Sequence, residues 1–190
     1  IKNNISFIAL SFVRSDQDVH ELRDILKKKK SSAKIIAKIE NQEGLDNIHE
    51  ITKAADIVMV ARGDLGIETD LADLPNIQRR IMYVTAKWGK RSIVATHLLE
   101  SMIVNPTPTR AEVTDVANAI YEGADAVMLS GETSVGKYPV QCIKMLKKIA
   151  AKTENFRTLG YEEFLSDKSD WQNIAIGARD LASRIDADGI

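Results

Sequence analysis

IIAKIENQEGLDNIHEITKAADIVMVARGDLGIE, residues 35–68, contains two strand-like runs joined by a short helical segment. The first run, residues 35–41, is rich in β-branched side chains, which favour strands. Because side chains alternate along a strand, Lys38 and Glu40 lie on the same face. The second run, residues 56–61, ends at a glycine-rich turn that carries Asp64. If the two strands are parallel neighbours, Glu40 and Asp64 converge beside Lys38, which makes a site for a hard divalent cation and an anionic substrate.

Composition limits the classes of protein that this chain can represent. Its 190 residues suit one domain or slightly more, and 44% hydrophobic residues are enough to form a core. A formal charge of −1 gives no electrostatic case for binding nucleic acid or an anionic membrane surface. Cys142 is the single cysteine, so no disulfide forms within the chain. No apolar run reaches membrane-spanning length and no signal peptide opens the sequence, so we expect a soluble, cytoplasmic protein.

The chain repeats one strand–helix unit at intervals of roughly thirty residues, a spacing typical of βα units. The predicted strands cover residues 6–13, 35–41, 56–61, 91–97 and 125–130. The predicted helices run from Asp16 or Asp18 to residue 28, and over residues 44–54, 75–88, 110–122 and 139–153. Short apolar strands between helices indicate a parallel sheet, which a doubly wound fold and a (β/α)₈ barrel both contain.

The positions of the polar residues favour the barrel. Most of the unusual ones stand at the carboxyl ends of predicted strands: Ser11, Lys38, Glu40, Asp64, Thr96, Ser130 and Glu132. Active sites assembled from several strand ends are typical of a TIM barrel. We therefore predict an α/β chain holding the last five units of a (β/α)₈ TIM barrel. The sequence opens at Ile1 and enters a strand-like run almost at once, so we expect it to be a piece of a longer protein.

The predicted domain organisation has three parts. Residues 1–156 form the partial TIM-barrel domain, and the polar, irregular residues 157–172 form a linker. Residues 173–190 then resume a helical pattern, which we interpret as the start of a C-terminal α/β domain.

Five segments occur together in an order and spacing that resemble the pyruvate kinase family. They are IAKIENQEG at 36–44, MVARGDLG at 59–66, ATHLLESM at 95–102, PTRAE at 108–112 and LSGET at 129–133. The resemblance covers about residues 1–150 and continues more weakly beyond them. It implies a TIM-barrel enzyme that transfers a phosphoryl group from phosphoenolpyruvate to ADP and protonates the enolate to give pyruvate and ATP. It also implies a homotetrameric, cytoplasmic full protein.

The resemblance implies a role for each matching residue. Glu40 and Asp64 match the ligands of Mg²⁺ (or Mn²⁺), and Lys38 matches the lysine beside the transferred phosphoryl group. Thr96 matches a threonine linked to enolate protonation, directly or through ordered water. Substrate binding is implied for Ala61, Arg62, Gly63, Asp64 and Thr96, and a supporting shell for Ser11, Ser130 and Glu132. K⁺ is expected in the full protein, with its ligands outside this chain.

His97 departs from the family pattern, which usually has glutamine after the threonine. Strand alternation predicts that His97 faces away from Thr96. Two interpretations stay open. His97 is a packing or supporting residue, or it retunes the proton step because histidine titrates near neutral pH.

Other interpretations of the sequence remain to be weighed. GETSVGK at 131–137 nearly spells a phosphate-binding P-loop, but Tyr138 stands where that motif needs Ser or Thr for Mg²⁺. A metal-dependent aldolase or lyase acting on a pyruvate enolate would also place Glu and Asp at strand ends. A third possibility is a non-catalytic fragment or paralogue. We expect the isolated 190-residue chain to be inactive, because half of the family's site would lie elsewhere.

Overall fold

The computed structural model describes residues 5–156 and 170–185, and the chain divides into two compact units, residues 1–159 and 160–190. The strands of the first unit are β1 (Phe7–Leu10), β2 (Lys34–Ile39), β3 (Ile57–Ala61), β4 (Arg91–Ala95) and β5 (Ala126–Met128). Its helices are α1 (Asp16–Lys28), α2 (Gln42–Asp46), α3 (Ile48–Ala54), α4 (Arg62–Glu68), α5 (Leu74–Lys87), α6 (Arg110–Tyr121), α7 (Gly131–Ser134) and α8 (Pro139–Glu154). Short 3₁₀ turns cover Leu71–Asp73 and Glu100–Ile103. The second unit contains α9 (Asp170–Arg184).

Within the described residues, five strands form one parallel sheet in the order β1-β2-β3-β4-β5. Right-handed crossovers between strands in sequential order carry the connecting helices to the same face of the sheet. A doubly wound sheet instead reverses its order at a switch point. The observed order therefore excludes that alternative and is a sequential order, which a barrel also has.

The two faces of the sheet are packed differently. The main core lies on the helix-covered face, where alternate residues such as Ile35, Ala37 and Ile39 meet apolar side chains of the helices. The opposite face carries a small cluster centred on Ile36, Met59 and Ala95. Lys38 and Glu40 follow Ile36 at strand spacing, so alternation places both on this second face.

Local signals in the sequence explain where the long helices begin and end. The Asp18 carboxylate accepts hydrogen bonds from the amides of Arg14 and Ser15 and so holds the start of α1. Pro75 lies in the first turn of α5, and Gly89, with a φ of 61°, follows its end, as the sequence predicts. Thr109 caps α6, where its side chain accepts from the Glu112 amide.

Some predicted boundaries were wrong. The helix predicted over 44–54 is two helices that break at Asn47, whose side chain donates 2.8 Å to the carbonyl of Arg14. The glycine-rich turn predicted after β3 is the helix α4. The strands are shorter than predicted, and β4 ends at Ala95 because the next two residues take left-handed conformations. Of the predicted linker, residues 157–169 lie outside the described residues, and α9 already begins at Asp170.

The same aspartate-to-amide hydrogen bond occurs twice at the amino-terminal edge of the sheet. Asp56, just before β3, accepts a hydrogen bond of 2.9 Å from the amide of Ile35 in β2. Asp125, just before β5, accepts one of 2.8 Å from the amide of Ser92 in β4. Partial burial would raise the pKa of Asp56, but the Ile35 amide and the Arg23 guanidinium outweigh it, so this pKa lies below its ordinary value. Both aspartates join neighbouring strands at the edge opposite the polar strand ends.

Candidate active site

Lys38 and Glu40 form an ion pair at the carboxyl end of β2. The Lys38 Nζ lies 2.5 Å from Glu40 Oε1 and donates 3.1 Å to the Ser11 hydroxyl at the end of β1. Glu40 is completely buried, and its Oε2 accepts a 2.6 Å hydrogen bond from the Phe12 amide. A buried carboxylate needs such partners because burial penalises its charge. The pair thus brings an ammonium group and a carboxylate group into direct contact at the strand ends.

Glu40 also meets the requirements of a metal ligand. Within the described part of the chain, no hydrogen bond of good geometry reaches its buried Oε1. Asp64 lies exposed in the first turn of α4, and the register that pairs Ile39 with Val60 brings the ends of β2 and β3 side by side. No group of three or more His, Cys, Asp or Glu side chains that could hold a metal occurs among residues 5–156 and 170–185. Two carboxylates nevertheless suit Mg²⁺ or Mn²⁺, since Mg²⁺ keeps several waters.

Thr96 lies at the end of β4, opposite the start of α4. Its hydroxyl accepts a 2.8 Å hydrogen bond from the Gly63 amide and donates 2.6 Å to the carbonyl of Ala95. A Cβ atom at Gly63 would lie only 3.5 Å from this hydroxyl oxygen. That distance is an ordinary van der Waals contact, so the start of α4 packs directly beside the threonine.

Backbone strain is concentrated at the same ends of the strands. Within the described ranges, the non-glycine residues with positive φ are Phe12 (53°), Lys30 (52°), Thr96 (69°) and His97 (52°). Lys30 follows the end of α1, a common place for this conformation. The other three follow β1 and β4, where nothing in helix capping requires it. Strain of this kind, about 1–3 kcal/mol per residue, clusters at functional sites.

The side chain of Arg62 is turned into the protein. The side chain is buried, its Nε and one terminal nitrogen donate 3.1 and 2.6 Å to the carbonyl of Thr96, and it also reaches the carbonyl of His97 at 3.1 Å. Its other terminal nitrogen donates 2.7 Å to Asp115 in α6. The guanidinium is thus committed to the protein, and a substrate role implied for residue 62 rests on its backbone. Sequence reasoning missed Asp115, which stands on a helix outside the five quoted segments.

The predicted direction of His97 was wrong. A Cβ atom at Gly63 would lie 3.5 Å from both the Thr96 hydroxyl and the His97 ring, so both side chains face the start of α4. Alternation fails here because β4 has ended and both residues have positive φ. His97 is exposed beside Thr96, so the interpretation as a buried packing residue loses its main support.

Glu132 occupies a closed position behind the site. It is fully buried, and its two oxygens accept hydrogen bonds from the amides of Leu99 (3.1 Å) and Ser130 (2.7 Å). Residues 131–134 form the short helix α7 rather than a loop wrapped around a phosphate, which removes the P-loop alternative. Ser130 is half-buried at the start of this helix.

The two ends of α6 hold glutamates in opposite electrostatic situations. Glu112, in the first turn, accepts hydrogen bonds from Ser101 and Thr109, which outweigh its partial burial and keep its pKa below the ordinary value. Glu122 follows the last turn, where burial raises its pKa despite a hydrogen bond from Gln78. Acids suit the positive end of a helix dipole and not the negative end.

Fold and site together define a class: a parallel α/β protein with its strands in sequential order and a charged, strained site at their carboxyl ends. The family follows from sequence, since a model described as the pyruvate kinase barrel domain matches residues 1–143. The chain therefore belongs to the pyruvate kinase family.

Individual relatives agree with this assignment. The chain is 51% identical to the pyruvate kinase of Methanocaldococcus jannaschii over 164 residues, which are 86% of this chain and 36% of that protein. It is also 51% identical to the pyruvate kinase of Borreliella burgdorferi, over 92% of this chain and 37% of that protein. A crystal structure of a pyruvate kinase from Cryptosporidium parvum superposes with a TM-score of 0.80 and 43% identity, over 81% of this chain and 32% of that one. The chain thus spans about a third of the length of these relatives.

None of the described helices is both long and apolar enough to cross a membrane.

Proposed function

We propose that this chain is part of a pyruvate kinase that transfers a phosphoryl group from phosphoenolpyruvate to ADP, giving pyruvate and ATP. The observation that carries the proposal is the Lys38–Glu40 pair, in which a half-buried ammonium group lies beside a fully buried carboxylate whose Oε1 has no aligned donor. Such a pair offers an ammonium group to an anionic substrate, and Glu40 Oε1 would turn from its contact with Lys38 toward a cation. Family membership supports the same reaction.

Lys38 would act on the charge that develops during the transfer. Phosphoryl transfer spreads negative charge over oxygens of the transferred group, and catalysis consists mostly of positioning and electrostatic stabilisation. The Ser11 hydroxyl and the Glu40 carboxylate hold the Lys38 Nζ from two sides, so its charge is already in place before substrate arrives. Glu40 and Asp64 would hold Mg²⁺ or Mn²⁺, which supplies further positive charge beside substrate oxygens when bound.

Thr96 would take part in the protonation of the enolate. Its hydroxyl is fixed by the Gly63 amide and the Ala95 carbonyl, so an ordered water bound to it would also be fixed. The backbone of residues 61–64 (Ala61, Arg62, Gly63 and Asp64) would bind the substrate carboxylate. Ser130 and Glu132 would support the site without contacting the substrate.

The remaining features of the proposal concern the longer protein. The five strand–helix units would be the last five of a (β/α)₈ barrel, followed by a linker and a C-terminal α/β domain. The full protein would be a cytoplasmic homotetramer that binds K⁺ through residues outside this chain and uses ADP and ATP as its nucleotides.

The test is the formation of pyruvate from phosphoenolpyruvate by the longer protein that carries these residues, followed through lactate dehydrogenase and NADH. We expect turnover that requires both ADP and a divalent cation. Absence of turnover with phosphoenolpyruvate, together with metal-dependent release of pyruvate by C–C cleavage of a hydroxy-oxo acid, would favour the aldolase or lyase, and no turnover with either substrate would favour a non-catalytic paralogue. The isolated 190-residue chain is the matched control, and we expect little or no activity from it.

A further inference from the structure

Arg62 is the buried cation nearest to the strained end of β4. Only 8% of the residue is exposed, and each nitrogen of its guanidinium donates a hydrogen bond. Three of these bonds, of 3.1, 2.6 and 3.1 Å, end on the carbonyls of Thr96 and His97. Four of the five N–H groups of the guanidinium thus donate to protein oxygens, so the side chain has structural partners as its targets.

The two carbonyls that Arg62 binds belong to the two adjacent left-handed residues. Thr96 and His97 have φ values of 69° and 52°, a conformation that is unfavourable for a residue with a side chain. Carbonyls that accept charge-assisted hydrogen bonds gain roughly twice as much as from neutral donors. The guanidinium therefore offsets the strain and keeps the turn in one conformation.

Asp115 fixes the guanidinium in turn. Its Oδ1 lies 2.7 Å from Nη1, the terminal nitrogen that does not bind the two carbonyls. Asp115 stands on α6, a separate element of the fold. With Gly63 donating to the Thr96 hydroxyl, the backbone and the side chain of Thr96 are held from the same short helix. Asp115 therefore fixes the Arg62 side chain, and Arg62 in turn fixes the backbone of Thr96.

We propose that Arg62 and Asp115 are positioning residues for the proton-transfer half of the reaction, an inference that rests on the proposed function. They hold the Thr96 hydroxyl where it serves the enolate, and neither touches the substrate through its side chain. Misplacing a reacting group by about 1 Å can cost about 100-fold in rate. Weakening the pair should therefore slow protonation far more than it weakens substrate binding.

The variants for the test are Arg62→Lys and Asp115→Asn in the longer protein. Lysine keeps the positive charge but cannot reach both carbonyls as a planar fork does. Arg62 lines a cavity of about 230 Å³ together with the polar side chains of Gln78, Asp115 and Glu122, so water can fill the space that lysine leaves. Asparagine at 115 keeps an oxygen acceptor and loses only the charge. Arg79→Lys is the control, because Arg79 is an exposed arginine on α5 whose ion pair with Glu122 spans 4.0 Å.

Two readouts separate positioning from general damage. The first is kcat and KM for phosphoenolpyruvate, and the second is exchange of the C3 protons of pyruvate with D₂O followed by NMR, which runs through the same enolate in reverse. We expect Arg62→Lys to lower kcat and the exchange rate together by about 10- to 100-fold, with KM changed less than about 3-fold. Asp115→Asn should act in the same direction by a smaller factor, and Arg79→Lys should match the wild type.

Unchanged exchange in folded Arg62→Lys and Asp115→Asn variants overturns the inference while leaving the proposed function intact. A rise in KM alone also overturns it, because it would mark a substrate contact. If Arg62→Lys fails to fold, the Asp115→Asn result decides. Absence of pyruvate kinase activity in the wild type overturns both proposals.

Discussion

The ends of β3 and β5 have the same local design and opposite environments. In each, a strand is followed within two residues by a short helix whose first turn carries a glycine and an acid, Gly63-Asp64 in α4 and Gly131-Glu132 in α7. Asp64 is exposed, and no side chain in the described part of the chain binds its carboxylate. Glu132 is fully buried, and both of its oxygens accept backbone hydrogen bonds.

The comparison shows that the local glycine–acid pattern alone does not determine whether the acidic side chain is open to a ligand or buried in a structural role. The Leu99 amide, 33 residues away in sequence, donates a hydrogen bond to the carboxylate of Glu132. The carboxylate of Asp64 has no such partner among the described side chains. One carboxylate is available to a ligand and the other holds the chain together. Substitutions at the two ends should therefore separate activity from stability.

The largest expected effect concerns the charge beside the open end. Lys38→Met in the longer protein keeps the methylene stem and removes the charge that Glu40 and Ser11 hold in place. We expect phosphoryl transfer to fall by about 1,000-fold or more, since a preorganised charge is worth several kcal/mol in a transition state. The lactate dehydrogenase assay measures the loss, and circular dichroism confirms the fold. Near-normal turnover in a folded variant would remove Lys38 from the mechanism.

A matched pair of substitutions tests the comparison directly. Asp64→Asn should lower activity by about 100-fold and raise the Mg²⁺ concentration needed for half-maximal rate, with little change in thermal stability, because the side chain is exposed. Glu132→Gln replaces one of two acceptors with a donor, which leaves a buried amide unsatisfied and costs about 1–3 kcal/mol. Thermal unfolding and metal titration of both variants measure the split. Equal loss of stability in the two variants would show that the ends of β3 and β5 are not distinct.

The glutamates at the ends of α6 give a smaller effect with a defined sign. Glu112 has a lowered pKa, so its stabilisation is complete above the ordinary glutamate value of about 4.3 and is lost as pH falls through the lower folded-state pKa. Glu112→Gln should cost about 1 kcal/mol at pH 7 and flatten the acid limb of the stability curve. Glu122 has a raised pKa, so its ionised form opposes folding at neutral pH. Glu122→Gln should be neutral or slightly stabilising there, and urea unfolding at pH 4 and pH 7 checks both signs.

Alternation along strands could be read from the sequence, and it placed Lys38 and Glu40 correctly on one face. The sequence also placed Ser11 at the carboxyl end of its strand, and the structure adds its contact with Lys38 on the neighbouring parallel strand. The order of strands and the starts of the long helices were also predictable, because proline, glycine and capping residues mark them.

The parts that the sequence did not predict depend on contacts distant in the chain. His97 was placed on the wrong side because alternation ends with β4 at Ala95, and no residue type there indicates a left-handed turn. The side chain of Arg62 is held inside the protein by Asp115, 53 residues further on, and no local pattern indicates that contact. The break at Asn47 likewise depends on the carbonyl of Arg14 in another segment.

The paired aspartates at the amino-terminal edge have a consequence for how such a protein can change over time. Asp56 and Asp125 secure neighbouring strands at the end of the sheet opposite the chemistry. Selection for thermal stability can therefore act on residues at that end, while selection for turnover acts on residues at the other end. A substitution that changes one property need not change the other. A lineage that adapts to a hotter or more acidic habitat can change residues at the amino-terminal edge of the sheet without altering those at the candidate active site.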